Sequence, residues 1–209
     1  MIIAVDGPAA SGKGTIARAL AAHYGLPYLD TGLLYRAVGL NVRRGGGDPA
    51  DPDAALVACG FDDLLLRDPG LRSEDAAAAA SIVSAHPAVR AALIERQRDF
   101  AARPGGAILD GRDIGTVIAP HADAKLFVRA TPTVRAQRRH AEMTAMGVST
   151  SFDALLAEIR DRDRRDMMRD TAPLVQATDA DLLDTSFLSI DASIQRAIRL
   201  VDARMVARS

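Results

Sequence analysis

The residues best suited to bind phosphate lie near the start of the chain, where the segment GPAASGKGT occupies positions 7–15. Its glycines allow backbone N–H groups to turn inward around an anionic oxygen, and Lys13 adds a mobile positive charge. The apolar run from Ile2 to Val5 precedes the segment, and an amphipathic stretch begins at Ile16. A strand, a glycine-rich loop and a helix in this order predict a phosphate-binding loop.

The expected ligands of a magnesium ion beside this loop are an aspartate and water. In the common form of the loop a hydroxyl residue follows the lysine, but here Gly14 follows and the hydroxyl comes at Thr15, so a direct Thr15–magnesium bond is not predicted. Asp110 ends an apolar run and is placed to hold magnesium through a water molecule, beside the phosphates. An aspartate at the end of a strand can also be only a turn residue, which is the alternative.

Two further segments combine arginine with residues that could bind a second anion. DTGLLYR, at positions 30–36, puts a hydroxyl, an aromatic ring and a guanidinium at a predicted helix start, where an anion can bind. The alternative for that segment is a capped helix with a surface arginine. LDGRD, at positions 109–113, ends a buried run with an acid, a glycine turn, Arg112 and Asp113.

The most charged stretch of the chain, at positions 160–170, reads RDRDRRDMMRD. One interpretation is a solvated helix face, because Arg162 and Asp166 lie four residues apart and can pair. The apolar stripe of Phe152, Leu155 and Ile159 indicates otherwise. Its continuation at helical spacing leads to Arg162, Asp166 and Arg169. We therefore expect these polar groups on the inward face of the helix.

A second arginine-bearing helix is predicted just before this one. It begins at Thr131-Pro132 and carries Arg135, Arg138 and Arg139, and a turn at positions 147–151 joins the two helices. Such a pair of helices is typical of a lid. Phosphoryl transfer between two anions requires converging positive groups and the exclusion of water, and a closing arginine-rich lid supplies both.

The elements that must position these residues form an alternating pattern. Apolar runs at 2–5, 28–29, 107–109, 125–128 and 182–183 are separated by helical patterns, which predicts a parallel α/β sheet. Three of the runs end in Asp30, Asp110 and Asp184, at the edge where such sheets bind ligands. A final helix, from about 189 to 205, carries the stripe Ile190, Ile194, Ile198 and Val201 and is expected to pack on the sheet.

Composition narrows the class of protein. A chain of 209 residues suits one well-buried core, and its net charge of −1 does not favour a nonspecific nucleic-acid partner. Cys59 is the only cysteine, and the four histidines lack metal-ligand spacing, so no cysteine-based metal site is expected. The sequence has no secretion signal and no long apolar span, which predicts a cytoplasmic protein without a membrane partner.

The segments GPAASGKGT, DTGLLYR, LDGRDIGT and RDRRDMMR occur in this order over nearly the whole chain. Together they resemble the motifs of bacterial cytidylate kinases, in the nucleoside monophosphate kinase superfamily of P-loop kinases. The resemblance implies a P-loop NTPase fold, with a five-stranded parallel sheet flanked by helices, an acceptor-binding insertion and a helical lid. It also implies a monomeric transferase that phosphorylates CMP and dCMP with ATP and magnesium.

The resemblance divides one domain, 1–209, into parts and assigns residues to its ligands. The core is expected at about 1–44, 104–130 and 171–209, the acceptor-binding insertion at 45–103 and the lid at 131–170. The ATP site would comprise Gly7, Pro8, Ala9, Ala10, Ser11, Gly12, Lys13, Gly14, Thr15 and Arg138. The CMP site would comprise Thr31, Tyr35, Arg36, Ser81, Arg90, Arg112, Asp113, Arg162, Asp166 and Arg169. The catalytic groups would be Lys13, Arg112, Arg162 and Arg169.

Within the CMP site, each part of the nucleotide has its own implied partners. Arg36, Arg112 and Arg169 would lie near the phosphate; Ser81, Arg90 and Asp113 would contact cytosine; Arg162 and Asp166 would contact the ribose. A carboxylate matches the N4 donor of cytosine and a guanidinium matches its acceptors, whereas uracil would leave such groups unpaired. Without the resemblance, Arg90 would be interpreted as a surface helix residue.

Other functions remain open from the sequence. The nearest alternative is a kinase of another small acceptor, such as UMP or shikimate. A regulatory GTPase is disfavoured because the only asparagine, Asn41, precedes Val42 and forms no Asn-Lys-x-Asp segment. An RNA-binding arginine surface is disfavoured because only 4% of residues are aromatic. One departure from the longer bacterial form is the short segment between Gly47 and Ser73.

Overall fold

A five-stranded sheet forms the framework of the structure, a computed structural model that describes residues 1–207. The strands are β1 (Ile2–Asp6), β2 (Tyr28–Asp30), β3 (Ala107–Gly111), β4 (Ala124–Arg129) and β5 (Asp181–Asp184). They lie in the order β2-β3-β1-β4-β5; β1 pairs in parallel with β3 and β4, and β4 pairs in parallel with β5. The five predicted strands are confirmed, and so is the α/β class.

Helices follow the strands and fill the segments between them. They are α1 (Lys13–Tyr24), α2 (Thr31–Arg44), α3 (Pro52–Val57), α4 (Glu74–Val83), α5 (Pro87–Ala101), α6 (Pro132–Ala145), α7 (Phe152–Met168) and α8 (Ile190–Val206). The side chains of Ser73, Thr131 and Ser189 cap α4, α6 and α8 by accepting hydrogen bonds from backbone N–H groups. The helix start predicted at Thr131 is therefore confirmed.

The chain forms two compact units. One consists of Met1–Leu29 and Arg103–Ser209 and contains most of the sheet with α1, α6, α7 and α8; the other is Asp30–Ala102 and contains α2 to α5. The second unit thus begins at Asp30, before the predicted insertion boundary at position 45. The reason is that α2 packs closely on α4: a Cβ atom at Gly39 would lie 2.7 Å from the Cβ atom of Ala79.

Each unit has its own apolar core. In the sheet-containing unit, strand residues such as Ile3, Ile108 and Leu126 pack with residues of α1 and α8. The predicted packing of α8 is confirmed at Val201, which is fully buried, and at Ile194 and Ile198, which are partly buried against this core. Ile190, the first residue of the predicted stripe, was wrongly expected to pack, because it begins the helix and 67% of it is exposed.

Among residues 1–207, no single helix is both long and apolar enough to cross a bilayer. The bent pair formed by α4 and α5 meets the criterion of length and composition only when its two helices are taken together.

Candidate active site

The predicted phosphate loop connects the central strand β1 to α1. Three of its residues have positive φ angles, namely Gly7 at 154°, Ala10 at 58° and Gly12 at 88°. Gly7 is required by a close approach, since a Cβ atom there would lie 2.0 Å from the carbonyl oxygen of Val128. Gly12 caps α1 in the left-handed conformation, which glycine adopts at little cost. This backbone places the loop directly at the N-terminus of α1, where the helix dipole favours an anion.

One side chain in the loop has an unused hydrogen-bonding group. Ser11 is fully buried, and its Oγ atom has no hydrogen-bond partner among the described residues. The Oγ atom lies 3.3 Å from the position that a Cβ atom would take at Gly7. Because a buried hydroxyl without a partner is costly, this atom fits a loop that is completed by a polar ligand such as a phosphate.

Lys13 and Asp110 meet beside the loop, as their predicted roles require. The Lys13 Nζ atom lies 3.5 Å from Oδ2 of Asp110, whose side chain is only 2% exposed. The Tyr28 hydroxyl donates to Oδ1 of Asp110 at 2.8 Å. Sequence reasoning missed Tyr28, because its position in β2 indicated only a strand residue. The pairing holds the carboxylate of Asp110 at the carboxyl end of β3, next to β1.

The residues around Asp110 fit a magnesium ion that completes its coordination with phosphate and water oxygens. Among residues 1–207, no group of three or more His, Cys, Asp or Glu side chains could hold a metal ion. A single carboxylate at a phosphate loop is the donor set typical of magnesium bound together with a nucleotide. Thr15 is exposed, and it follows Lys13 by two positions.

Helix α6 reaches the phosphate loop through Arg138. Its Nη1 atom lies 3.9 Å from the position that a Cβ atom would take at Gly12. The guanidinium donates to the side-chain and main-chain oxygens of Thr185, at 3.1 and 2.6 Å. Arg138 therefore lies beside the loop to which sequence reasoning assigned it. Arg139, on the same helix, instead pairs with Glu142 at the surface.

Two buried aspartates of the sheet-containing unit are paired with arginines. Arg112 Nε donates to Oδ2 of Asp166 at 2.7 Å, and Arg169 Nη2 lies 3.5 Å from Oδ1 of Asp113. Asp113 and Asp166 are each 5% exposed. These four predicted acceptor-site residues thus form two ion pairs. Arg112 and Asp113, the two residues after Gly111, each contribute one partner.

The inward orientation predicted for α7 is confirmed by the burial of Leu155, Ile159 and Asp166. Burial alone would raise the pKa of Asp166, but Arg112, and at longer range Arg162 and Arg169, bring that pKa below its usual range. Asp166 accepts a hydrogen bond from Arg112 on the β3 side. Local helix spacing could not reveal this pairing, because residues 112 and 166 are far apart in the chain.

Asp6, at the end of β1, organises the backbone beyond Asp113. Its carboxylate accepts hydrogen bonds from the N–H groups of Ile114 and Gly115, at 2.8 and 2.7 Å. Burial raises the pKa of Asp6 to about 6, against the lowering effect of these two hydrogen bonds. Sequence reasoning ended the apolar run at Val5 and gave Asp6 no role. Its signal was weak, because a single acid between a strand and a glycine is also typical of a turn.

In the Asp30–Ala102 unit, Arg90 packs on an aromatic ring. Its guanidinium carbon lies 5.6 Å from the ring centroid of Tyr35, within the range of a cation–π contact. Arg90 is 7% exposed and Ser81 is 4% exposed. The interpretation of Arg90 as a surface residue, which its helical pattern alone favoured, is wrong, because α5 turns this position toward Tyr35.

The other predicted residues of this unit lie on α2. Thr31 is its first residue and is buried; Asp30 before it accepts a hydrogen bond from the N–H group of Gly32 at 3.0 Å. Arg36 Nη1 donates to the carbonyl oxygen of Leu71 at 2.7 Å. The predicted helix start is confirmed, Asp30 caps it as the alternative interpretation of this segment expected, and Arg36 is held against the segment that precedes α4.

Comparison with known proteins identifies the family to which the chain belongs. The family model described as cytidylate kinase matches residues 3–203. The chain belongs to the cytidylate kinase family. The resemblance inferred from four sequence motifs is therefore confirmed.

Relatives in this family match the chain over its whole length. A cytidylate kinase of Xanthobacter autotrophicus is 56% identical over 209 residues, which cover all of both chains. A cytidylate kinase of Caulobacter sp. is 55% identical over 202 residues, covering 96% of this chain and 94% of that one. Because these matches extend over nearly the whole length of both chains, the short segment between Gly47 and Ser73 does not distinguish this chain from these relatives. It contains α3 and two 3₁₀ turns, Asp63–Arg67 and Pro69–Arg72.

A crystal structure of an uncharacterized protein from Eubacterium ventriosum resembles the fold. Its TM-score is 0.57 at 14% sequence identity, and the match covers 97% of this chain and 99% of that one. At this identity the similarity concerns the fold alone.

Proposed function

We propose that this protein transfers the terminal phosphoryl group of ATP to CMP and dCMP, yielding CDP and dCDP by direct in-line transfer. The observation that carries the proposal is a phosphate loop with the Lys13–Asp110 pair in the same unit as two buried Arg–Asp pairs, in a chain of the cytidylate kinase family. An attacking phosphate oxygen of CMP is already anionic, so the reaction needs positioned cations more than a base.

On the donor side, the loop from Gly7 to Thr15 would bind the phosphates of ATP. Its N–H groups would bind the phosphate oxygens, and Lys13 would stay in contact with the transferred phosphoryl group. Arg138 would contact ATP from α6. Asp110 would hold magnesium through water. When bound, the ion neutralises charge on the phosphates and makes the terminal phosphorus easier to attack.

On the acceptor side, three polar residues are the proposed partners of cytosine. Asp113 would accept a hydrogen bond from the N4 amino group, while Ser81 and Arg90 would donate to the acceptor atoms of the base. The buried state of all three residues supports this proposal, because a buried polar group strongly penalises a base that leaves it unpaired. UMP offers the reverse pattern at two of these positions and should be rejected.

The remaining acceptor residues would bind the charged and sugar parts of CMP. Arg36, Arg112 and Arg169 are proposed for the phosphate, Arg162 and Asp166 for the ribose, and Thr31 and Tyr35 for the site wall. The existing pairs of Arg112 with Asp166 and Arg169 with Asp113 hold these guanidinium groups in place before a ligand arrives. Such preorganised charges stabilise the developing negative charge of the transferred group.

We also propose that the enzyme acts as a cytoplasmic monomer on free nucleotides. The proposal rests on the lone cysteine and the near-neutral net charge of −1. Sedimentation at several protein concentrations would test the oligomeric state.

The decisive experiment is an acceptor panel with ATP and magnesium. ADP formation is measured with CMP, dCMP, UMP, AMP and shikimate, with one series in excess EDTA and one without any acceptor. We expect the highest kcat/KM for CMP or dCMP, and no turnover in EDTA. A higher kcat/KM for UMP or shikimate would refute the proposed acceptor. In a parallel series with GTP in place of ATP and without an acceptor, rapid hydrolysis would instead favour the GTPase alternative.

A further inference from the structure

Arg135 on α6 is the largest side chain that is fully buried in the described structure, with 2% exposure. Its Nε atom donates to the carbonyl oxygen of Ala130, just after β4, at 3.0 Å. Its Nη1 atom donates both to the carbonyl oxygen of Ala9 in the phosphate loop, at 3.0 Å, and to Asp163 on α7, at 2.9 Å. Nη2 donates to the second oxygen of Asp163. One guanidinium thus joins the end of a strand, the loop and a lid helix.

A second carbonyl of the loop is held in the same manner. The Thr185 hydroxyl, which follows β5, lies 3.1 Å from the carbonyl oxygen of Ser11 and 3.2 Å from that of Arg129. It also accepts a hydrogen bond from Arg138 at 3.1 Å. Thr185 is 1% exposed. The carbonyls before and after Ala10 are therefore both bound by buried groups outside the loop.

These two contacts bear on the direction of the loop's N–H groups. A trans peptide is planar, so its C=O and N–H bonds point in opposite directions. A partner that holds the Ala9 carbonyl on one side directs the Ala10 N–H group to the other side. Ala10 has φ of 58°, a left-handed conformation that alanine adopts only at some cost. The loop therefore needs external contacts to keep this conformation.

We propose that Arg135 is a positioning residue that holds the phosphate loop in its anion-binding conformation and couples the loop to α7. The proposal rests on the proposed function, which gives the loop to ATP and residues of α7 to the acceptor. Arg135 touches neither nucleotide in this scheme. It acts through the Ala9 carbonyl on the donor site, and through Asp163 on the helix that carries Arg162 and Asp166.

The two arms of this link can be separated by mutation. Arg135→Lys keeps a positive charge near Asp163, but one ammonium group cannot reproduce the fork that reaches Ala130, Ala9 and both oxygens of Asp163. Asp163→Asn weakens only the arm to α7 and leaves the bond to Ala9 possible. Arg204→Met is the matched control, because Arg204 also makes a two-bond pair with an aspartate, Asp181, away from the loop.

The first readout is the affinity of magnesium–ADP in the absence of CMP, measured by calorimetry because the chain has no tryptophan to report binding. We expect Arg135→Lys to weaken binding about tenfold, as for the loss of one charge-assisted hydrogen bond. Asp163→Asn should change this affinity less than about threefold and should mainly raise the KM for CMP. Arg204→Met should change neither value, whatever its effect on the melting temperature.

Each result decides the inference. Unchanged magnesium–ADP affinity in Arg135→Lys would overturn it. Equal losses for both nucleotides in both variants, in proportion to their loss of thermal stability, would mean a purely structural ion pair and would also overturn it. A wild-type protein that binds magnesium–ADP but does not phosphorylate CMP would refute the proposed function alone, and the affinity comparison would still test Arg135. If Arg135→Lys does not fold, Arg135→Gln replaces it: its amide cannot reproduce the fork either, so magnesium–ADP binding should again weaken about tenfold, and an unchanged affinity would overturn the inference.

Discussion

The Asp6→Asn substitution should change how the stability of this protein depends on pH. Asp6 lies at the end of β1 and is buried, and its carboxylate is bound by the N–H groups of Ile114 and Gly115. Its pKa is raised from the usual 3.8 to about 6, chiefly by burial; nearby Asp113 also contributes to this increase, while the two backbone hydrogen bonds and Arg112 oppose it. The folded state therefore binds a proton that the unfolded state releases, throughout the interval between these two values.

The sign and size of the effect follow from this difference. A raised pKa contributes stability that is fully present below pH 3.8 and is lost as the pH rises through about 6. Proton linkage with these two values gives a gain of about 1.3 kcal/mol in the free energy of unfolding between about pH 7 and about pH 5. Asparagine does not titrate, so Asp6→Asn lacks this gain. Its amide NH₂ group would face one of the two N–H donors, which lowers its stability by an amount independent of pH.

The assay is urea unfolding of both proteins at about pH 7, 6 and 5, followed by circular dichroism. The difference between wild type and Asp6→Asn cancels the titration of all other groups that the substitution leaves unchanged. We expect the free energy of unfolding of the wild type to increase by about 1.3 kcal/mol relative to that of Asp6→Asn as the pH falls from 7 to 5. A constant difference, or a movement in the opposite direction, would refute a raised pKa at Asp6.

Two other predictions concern the nucleotide sites. Lys13→Ala should lower kcat with CMP by at least about 100-fold, because a preorganised positive group beside the transferred phosphate is lost; activity close to wild type in a folded variant would remove the loop from the mechanism. Asp113→Ala should reduce the ratio of kcat/KM for CMP to that for UMP, because the carboxylate proposed to bind the N4 amino group is gone. That ratio is insensitive to a general loss of activity, and an unchanged ratio would disprove the role of Asp113 in base choice.

The strands and the phosphate loop could be predicted because their signals are local. A short branched apolar run followed by GPAASGKGT specifies a strand and a loop whatever lies elsewhere in the chain. The signal for the helix start at Thr131 was equally local, since this side chain caps its own helix. The α7 stripe indicated which face is buried, and Leu155 and Ile159 lie there.

Pairings between distant segments could not be predicted in this way. The contacts of Tyr28 with Asp110 and of Arg112 with Asp166 join residues separated by 82 and 54 positions. No periodicity links such residues, because only the packing of the sheet and helices brings them within hydrogen-bond distance. For the same reason, the helical pattern around Arg90 indicated a surface residue, although its guanidinium group packs on the ring of Tyr35.

By itself, the sequence determined the α/β class, the order of strands and helices along the chain, the phosphate loop and the family. These depend on residue type and short-range spacing, which hydrophobic burial and backbone conformation act on directly. Only the tertiary structure decided which charges are paired and which carbonyls of the loop are held, as by Arg135 and Thr185. Buried ionic groups must find partners wherever the fold places them, so their chemistry is set by the neighbours that folding supplies.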